Sequence, residues 1–260
     1  MQKSNWIDQA IDIPVGIPKD PIPDFPVNAS TAGIGRMDIR SLPRESLLLG
    51  VAGDGLPVLL NLFDPIPGPI LIAGDKGSGR TMLLQSIAHA AEGMHAPNDL
   101  QFGVITPHPE QWHRFQTSKT TTGIYSTQHE LALELLQSLV TWAHNNKGEQ
   151  QSILLIIDEF DLFTQCDEQA CQNLRWLLLR GPSRRVWPIV TLEACRARDL
   201  KDWMDFFRTR VFSRIHDLSE AQFLTGRSEF PPSQSGTSPN FTLWEGDHWL
   251  QFWAPTVGAS

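Results

Sequence analysis

The chain has 260 residues, a net charge of −8 and a mean hydropathy of −0.21. This length suits one large domain with a buried core, and the hydrophobic share of 41% excludes a wholly disordered chain. No apolar run reaches the roughly 18 residues of a membrane helix, and the first residues lack the apolar stretch of a secretory signal. Three cysteines without a CxxC pair argue against a disulfide framework or a structural zinc site. We therefore expect a cytoplasmic protein without membrane insertion.

The first 45 residues differ from the rest of the chain. Five prolines between positions 14 and 26 exclude a helix there and favour an extended, polyproline-like arm. Residues 46–62 then place two apolar runs around a Gly-Asp-Gly turn, which is typical of a β-hairpin. We predict an N-terminal arm at residues 1–45 and one domain at residues 46–260 that begins with this hairpin.

Strand and helix patterns alternate after the hairpin. Apolar runs typical of buried strands lie at residues 69–74, 101–106, 152–158, 186–192 and 210–215. Helical periodicity is found at residues 81–93, 129–145, 168–179 and 219–225, and residues 241–255 have the pattern of a terminal β-hairpin. Strands that are apolar on both faces indicate a mainly parallel sheet flanked by helices, so the predicted fold class is α/β.

A glycine-rich segment, GDKGSGRT at residues 74–81, lies between a predicted strand and a predicted helix. It fits the phosphate-binding pattern GxxxxGK[ST] except that Arg80 stands where the pattern has lysine. Its glycines allow the backbone N–H groups to converge on phosphate oxygens at the start of a helix. The predicted nucleotide-binding residues are Gly74, Asp75, Lys76, Gly77, Ser78, Gly79, Arg80, Thr81 and Met82.

Two acidic residues end the apolar strand SILLII. Asp158 and Glu159 stand where a parallel sheet places its ligand chemistry, at the carboxyl end of a strand. We predict that Thr81 and Asp158 hold Mg²⁺ and that Glu159 activates the attacking water. An acidic pair by itself also fits ordinary helix capping, but its order and spacing after the glycine loop favour a P-loop NTPase.

With these motifs in place, the chain resembles the FtsK/HerA group of ring-forming P-loop ATPases, including the ATPase modules of type VII secretion motors. The resemblance covers roughly residues 47–255 and rests on LGVAGDGLPVLLNL, GPILIAGDKGSGRT, LLIIDEFDLF, WPIVTLE and RTRVFSRI. It implies a RecA-like sheet with strand order 5-1-4-3-2, ATP or ADP bound with Mg²⁺ between neighbouring subunits, and a polymer threaded through a ring. It also implies a catalytic role for Arg210, near the nucleotide or the subunit boundary, whereas the residue by itself also fits a surface arginine at a strand end.

Two positions depart from the family pattern. Arg80 replaces a lysine, and a planar guanidinium cannot take the place of a compact ammonium without displacing a neighbour. Glu193 stands where the family has a glutamine near the γ-phosphate, and a carboxylate there repels phosphate unless it is protonated or paired. Both departures favour slow or lost hydrolysis. Arg184 and Arg185 fit two roles. They could contact the phosphates bound by the next subunit, or they could lie in a solvated loop without a functional role.

The sequence leaves several functions open. The first is a motor subunit that couples ATP binding and slow hydrolysis to work on duplex DNA or another translocated polymer. The second is a degenerate nucleotide-binding subunit that stabilises a larger assembly, and the third is a scaffold role among partner proteins. Residues 175–214 carry ten basic and four acidic residues, and this segment fits DNA contact and self-association equally.

Overall fold

The computed structural model describes residues 42–146, 151–165, 167–228, 240–245 and 248–254. The predicted polyproline arm lies outside this part except for its last four residues. The strands are β1 (Ser46–Ala52), β2 (Pro57–Asn61), β3 (Ile70–Gly74), β4 (Leu100–Thr106), β5 (Thr121–Ser126), β6 (Ser152–Ile157), β7 (Val186–Glu193), β8 (Thr209–Phe212), β9 (Asn240–Glu245) and β10 (His248–Trp253). The helices are α1 (Arg80–Met94), α2 (Glu130–Asn145), α3 (Phe160–Phe163), α4 (Glu168–Arg180), α5 (Lys201–Met204) and α6 (Leu218–Thr225), and short 3₁₀ helices lie at Pro109–Phe115, Pro182–Arg184 and Ala194–Arg196.

The ten strands of the described residues form one sheet in the order β2-β1-β10-β9-β8-β3-β7-β6-β4-β5. The six strands from β8 to β5 run parallel, and the other four extend the sheet with antiparallel pairs. Within the parallel part, β8-β3-β7-β6-β4 follows the order 5-1-4-3-2, so the predicted RecA-like topology is confirmed. The carboxyl ends of the six parallel strands lie along one edge of the sheet, and the glycine loop follows β3 at this edge.

The parallel strands are buried because helices cover both faces of the sheet. α1 packs on one face of the sheet, together with apolar side chains of β1 and β2. The helices α2, α3, α4, α5 and α6 pack on the other face. Every residue of β3 and β6 is buried, as their continuous apolar runs predict. Among the described residues, no helix combines the length and apolar character that a bilayer crossing requires.

Both predicted hairpins are confirmed, and the sheet joins them. β1 pairs with β2, β9 pairs with β10, and β1 pairs with β10 through Val51 and Trp253. Gly50 permits this contact, because a Cβ there would lie 2.3 Å from a ring carbon of Phe252. The two hairpins therefore form one antiparallel extension beside β8.

Among the described elements, sequence patterns did not predict β5, the short helices α3 and α5, or the three 3₁₀ helices. β5 is an edge strand with no buried residue. Its sequence, TTGIYS, has no apolar run, and therefore it carries no pattern that predicts a strand. The 3₁₀ helix Pro109–Phe115 is anchored by only two buried side chains, Trp112 and Phe115, which pack beneath β4 and α1. Two anchors in seven residues are too few to show a helical period.

A buried histidine joins α1 to the hairpin and makes the stability depend on pH. His95 caps α1, and its Nε2 lies 2.9 Å from the carbonyl oxygen of Ser46. Burial lowers the pKa of His95 below its ordinary value of 6.5, so the folded chain holds the neutral imidazole. The unfolded chain binds the proton more tightly, and this contribution to stability is full above pH 6.5 and is lost as the pH falls through the folded pKa.

We expect the free energy of unfolding to fall more steeply below pH 6.5 in the native chain than in a His95→Gln variant. Glutamine keeps a hydrogen-bond donor but does not titrate. Urea unfolding curves at several pH values measure the difference, with the exposed His113→Gln variant as the control. Equal slopes in the native chain and the His95 variant would contradict the assignment.

Candidate functional site

The glycine loop connects the carboxyl end of β3 to the first turn of α1. Gly77 and Gly79 have φ angles of 72° and 92°, which side chains rarely adopt. Gly74 is required for another reason: a Cβ there would lie 1.8 Å from Ser213 Oγ and 2.8 Å from Ser78 Oγ. These two hydroxyl groups lie 2.6 Å apart and brace the loop against the end of β8. The loop thus has the backbone that a phosphate cradle needs.

Arg80 is folded into the loop instead of extending into solvent. Its side chain is buried, and its Nη1 donates a hydrogen bond to the carbonyl oxygen of Gly74 at the loop's first residue. A lysine ammonium has three rotatable donors on a slender stem, whereas the guanidinium is a rigid plane. The guanidinium therefore lies at the base of the loop, bonded to the loop's first residue.

Thr81 and Asp158 are brought together from distant parts of the chain. The Thr81 hydroxyl donates to the Asp158 carboxylate, at 2.9 Å from Oδ2 and 3.2 Å from Oδ1. Thr191 Oγ1, from β7, donates to Asp158 Oδ1 at 2.6 Å and accepts from the backbone N–H of Glu159 at 2.8 Å. A hydroxyl and a carboxylate beside a phosphate loop are hard oxygen donors, so these residues fit a Mg²⁺ ion that completes its shell with phosphate and water.

Glu159 has a left-handed backbone conformation, with φ 56° and ψ 64°. A non-glycine residue in this region is strained, and such residues cluster at functional sites. The conformation places Glu159 at the N-cap of α3, and its side chain is half-buried at the carboxyl end of β6. Glu159 therefore sits beside the Thr81 and Asp158 pair at the edge of the sheet.

The remaining predicted loop residues have different surroundings. Asp75 is tied to the chain after β8: its N–H donates to the carbonyl of Arg214 at 2.9 Å, and its Oδ2 lies 2.5 Å from Nδ1 of His216. Lys76 is exposed at the tip of the loop, and Met82 packs partly against the core on the α1 face. Ser78 is buried by its contact with Ser213.

Glu193 lies next to the loop. Its backbone pairs in register with Gly74, the last residue of β3, as the predicted position near the phosphates requires. The carboxyl group of Glu193 hydrogen-bonds the Cys195 thiol, and burial followed by the negative charge of Glu193 raises the pKa of that thiol. This thiol is therefore held in its protonated form.

Arg210, predicted to be catalytic, is not brought to the loop of its own chain. It pairs in register with Leu71 on β3, three residues before the loop begins. Its guanidinium donates to the carbonyl oxygens of Phe207 at 3.1 Å, Leu224 at 2.7 Å and Met204 at 2.8 Å. These bonds join β8 to α5 and α6, so within one chain the contacts of Arg210 are structural.

The basic segment at residues 175–214 does not form one surface. Arg184 and Arg185 precede the amino end of β7, whereas Arg196 and Arg198 follow its carboxyl end. Eight residues of strand separate these pairs by about 26 Å. Arg196 already faces carboxylates, with Asp161 Oδ2 at 3.9 Å and Asp199 Oδ2 at 3.8 Å. The basic residues of this segment are therefore close in sequence but are not gathered into one positively charged surface.

Three residues complete the site without having been predicted. Thr191 connects Asp158 to Glu159, Ser213 supports the loop, and His216 holds Asp75. The one available signal was Thr191, which is a polar residue in the apolar run of β7 and is fully buried. Ser213 and His216 lie after β8, far along the chain from the loop, and only the pairing of β3 with β8 brings them close.

Solved structures share this fold. The chain is similar to ATPases 2 and 3 of EssC from Geobacillus thermodenitrificans, with a TM-score of 0.68 and 14% identity over 83% of this chain and 46% of that chain. It is also similar to the cytoplasmic domain of the Thermomonospora curvata type VII secretion ATPase EccC, with a TM-score of 0.62 and 19% identity over 87% and 31%. The chain thus spans less than half the length of these two structures.

A third similar structure was solved with an ATP analogue. It is the genome packaging NTPase B204 of Sulfolobus turreted icosahedral virus 2 in complex with AMPPCP, with a TM-score of 0.50 and 11% identity over 73% of this chain and 98% of that chain. These similarities confirm the predicted P-loop fold, and one of them is with a type VII secretion ATPase, the kind of module that the sequence resembles. No functionally curated protein is significantly similar in sequence.

A sequence profile of the NACHT domain matches residues 68–224, which contain the glycine loop, Asp158 and Glu159. This match and the solved structures agree on a P-loop NTPase fold. The structural similarities extend over a larger share of the chain than the profile does. Because the profile covers more than half of the sequence, the chain belongs to the NACHT domain family.

Proposed function

We propose that the chain is a cytoplasmic, ATP- and Mg²⁺-binding motor subunit that hydrolyses ATP slowly to do work on duplex DNA or another translocated polymer. The observation that carries this proposal is the hydrogen bond of 2.9 Å between Thr81 and Asp158 at the foot of the glycine loop. In this proposal residues 46–260 are the ATPase domain and residues 1–45 are its arm. The secretion and genome-packaging functions named for the similar structures support work on a polymer.

The loop and α1 would bind the phosphates of ATP. The Ser78 N–H donates to the Asp75 carbonyl at 3.2 Å. The N–H groups of Gly77, Gly79, Arg80 and Thr81 precede or begin α1, where they have no helical acceptor and the helix dipole adds positive potential. Thr81 and Asp158 would hold Mg²⁺, which neutralises phosphate charge when bound. Thr191 fixes the Asp158 carboxylate by its bond of 2.6 Å, so this metal ligand is oriented before nucleotide arrives.

Glu159 would act on the attacking water. Its carboxylate lies at the carboxyl end of β6, next to the strand that ends in Glu193. In-line attack on the γ-phosphate would require a water held opposite the leaving group. Glu159 would orient that water and accept its proton, and the Thr191 hydroxyl holds the backbone of Glu159 in place.

A second function has its own supporting observation. The bond between Arg80 and the Gly74 carbonyl keeps the guanidinium inside the loop, and Glu193, an acidic residue, pairs in register with Gly74 at the end of β7. Both features weaken phosphate binding and hinder charge stabilisation in the transition state. A nucleotide-binding subunit that stabilises an assembly without turnover is therefore the alternative to the motor.

We expect Arg80→Lys to raise ATP turnover about tenfold, which corresponds to about 1.4 kcal/mol of transition-state stabilisation. Lysine leaves the base of the loop free and places a compact charge between the phosphates. Steady-state turnover with and without linear duplex DNA measures the effect, and Arg180→Lys at an exposed helix end is the matched control.

The same variant separates the two proposed functions. A motor subunit has turnover in the native chain that Arg80→Lys increases. Nucleotide binding without turnover in both chains would contradict the motor and support the assembly subunit. A fall in turnover in the Arg80→Lys variant would contradict the view that the guanidinium obstructs the loop.

A further inference from the structure

A short loop presents two large apolar side chains to solvent at the amino-terminal edge of the parallel sheet. Phe63 and Ile66 are 45% and 44% exposed on the connection between β2 and β3. Their backbone is well fixed, because Phe63 N–H donates to Asn61 Oδ1 at 2.9 Å and Ile66 N–H donates to Asp64 Oδ1 at 3.0 Å. We call Phe63 and Ile66 the knob. A fixed loop that exposes two apolar side chains is typical of an interaction surface.

Positive charge surrounds the knob. The guanidinium carbon of Arg185 lies 3.7 Å from the centre of the Phe63 ring. Arg184 is exposed beside it before β7, and Arg208 is exposed before β8, with its Cβ 4.0 Å from a Cβ built on Gly68. Two acids also lie near the knob: Asp64, which accepts the bond from Ile66, and the exposed Glu45, whose carbonyl accepts from Leu62 N–H at 2.7 Å. The knob is therefore an apolar contact with a mainly basic border.

A pocket of about 500 Å³ opens at the opposite, carboxyl-terminal edge of the sheet. It lies between the start of α2 and the segment that contains α3, and its apolar lining is Pro107, Leu133, Leu162 and Phe163. Glu130 and Asp167 add two carboxylates, and the described residues that line it include neither lysine nor arginine. Leu162 is 43% exposed at the pocket. We call this cavity the edge pocket.

We propose that the knob of one copy of this chain docks into the edge pocket of the next copy. Two apolar side chains fit a partly apolar cavity of this volume, and Arg185 beside the knob faces Glu130 and Asp167 at the pocket. The knob and the pocket lie at opposite edges of one sheet, so the contact joins copies head to tail. Such a heterologous interface closes into a ring when the rotation between copies permits it.

The contact would also affect the nucleotide site, and this step rests on the proposed ATPase function. Leu162 and Phe163 belong to α3, which begins directly after Glu159. Glu159 is held in a strained left-handed conformation, and the structure around it must maintain that conformation. A neighbour's knob against Leu162 would fix α3 and thereby the position of Glu159. Glu159 belongs to the site, and Leu162 acts as a positioning residue through it.

Two surface variants test the interface. Phe63→Ser/Ile66→Ser removes the knob and leaves the pocket, whereas Leu162→Lys places a positive charge in the pocket and leaves the knob. Size-exclusion chromatography with light scattering over a range of concentrations should show assembly of the native chain and monomers of each variant. A 1:1 mixture of the two variants should form a dimer, because one intact knob then meets one intact pocket.

The control is Leu218→Lys, which changes a side chain that is 76% exposed on α6 and away from both surfaces. It should assemble like the native chain. Monomeric native chain at every concentration, assembly of either variant, or no dimer in the mixture would overturn the proposal. Mg·ATP affinity of each variant is measured separately, so a failed interface is distinguished from a failed nucleotide site.

The mixture also tests the link to Glu159. Only the subunit that lacks the knob has a filled pocket, so we expect turnover to rise at that subunit alone. Adding Glu159→Gln to the chain that lacks the knob should abolish the rise, whereas adding it to the Leu162→Lys chain should leave the rise intact. The opposite pattern, or equal loss in both mixtures, would contradict the positioning role of Leu162.

Discussion

Glu159→Gln is expected to lower ATP turnover by about 10²- to 10⁴-fold, the range that one general base contributes. Glutamine has the same shape and leaves the strained backbone and the bond from Glu159 N–H to Thr191 in place. It cannot accept the proton of the attacking water, so binding is retained while chemistry slows. Single-turnover hydrolysis measures the rate, and equilibrium titration measures the affinity for Mg·ATP.

The matched control for this variant is Glu168→Gln, an exposed position in the first turn of α4. It makes the same chemical change away from the loop and should keep native turnover. Unchanged turnover in Glu159→Gln would contradict the assigned role. Loss of affinity together with turnover would show that Glu159 serves nucleotide binding instead of the chemical step.

Gly74→Ala is expected to disrupt the loop and to lower stability by about 1–3 kcal/mol, the usual range for forced overpacking. The added methyl group would lie 1.8 Å from Ser213 Oγ, which also contacts Ser78 Oγ at 2.6 Å and the Ala73 carbonyl at 3.3 Å. The side chain must move and release Ser78, so the loop loses its brace. Urea unfolding and titration with Mg·ATP measure the two losses.

A second substitution identifies the cause. Ser213→Ala removes the oxygen that clashes, so Gly74→Ala/Ser213→Ala should recover part of the stability that Gly74→Ala loses. Gly53→Ala is the control, because its nearest neighbour, a ring carbon of Trp253, lies 3.6 Å from the added methyl group. No recovery in the double variant would contradict the steric explanation.

The parallel core of the fold was predictable because burial on both faces leaves a strong pattern. β3 and β6 are continuous apolar runs with every residue buried, and the order of strands and helices along the chain implies parallel pairing. β5 was not predictable, since its residues are half-exposed and an edge strand needs no apolar run. The strand order itself came from the family resemblance, because local patterns do not determine which strands become neighbours.

The local part of the site was also predictable, whereas its long-range part was not. The glycine loop is contiguous in sequence, and its position before a helix follows from two adjacent patterns. The bond from Thr191 to Asp158 joins residues 33 apart, and the contact between Ser78 and Ser213 joins residues 135 apart. The direction in which the Arg80 side chain points, toward the Gly74 carbonyl, depends on the packing around its guanidinium. No pattern in the loop sequence encodes that direction.

Isothermal titration calorimetry of ATP binding to the native chain, with Mg²⁺ and with EDTA, tests whether the glycine loop, Thr81 and Asp158 form one site for nucleotide and metal. We expect one site per chain, with an affinity that weakens at least about tenfold, or 1.4 kcal/mol, without Mg²⁺. No saturable binding, or binding that Mg²⁺ does not strengthen, would contradict this shared site.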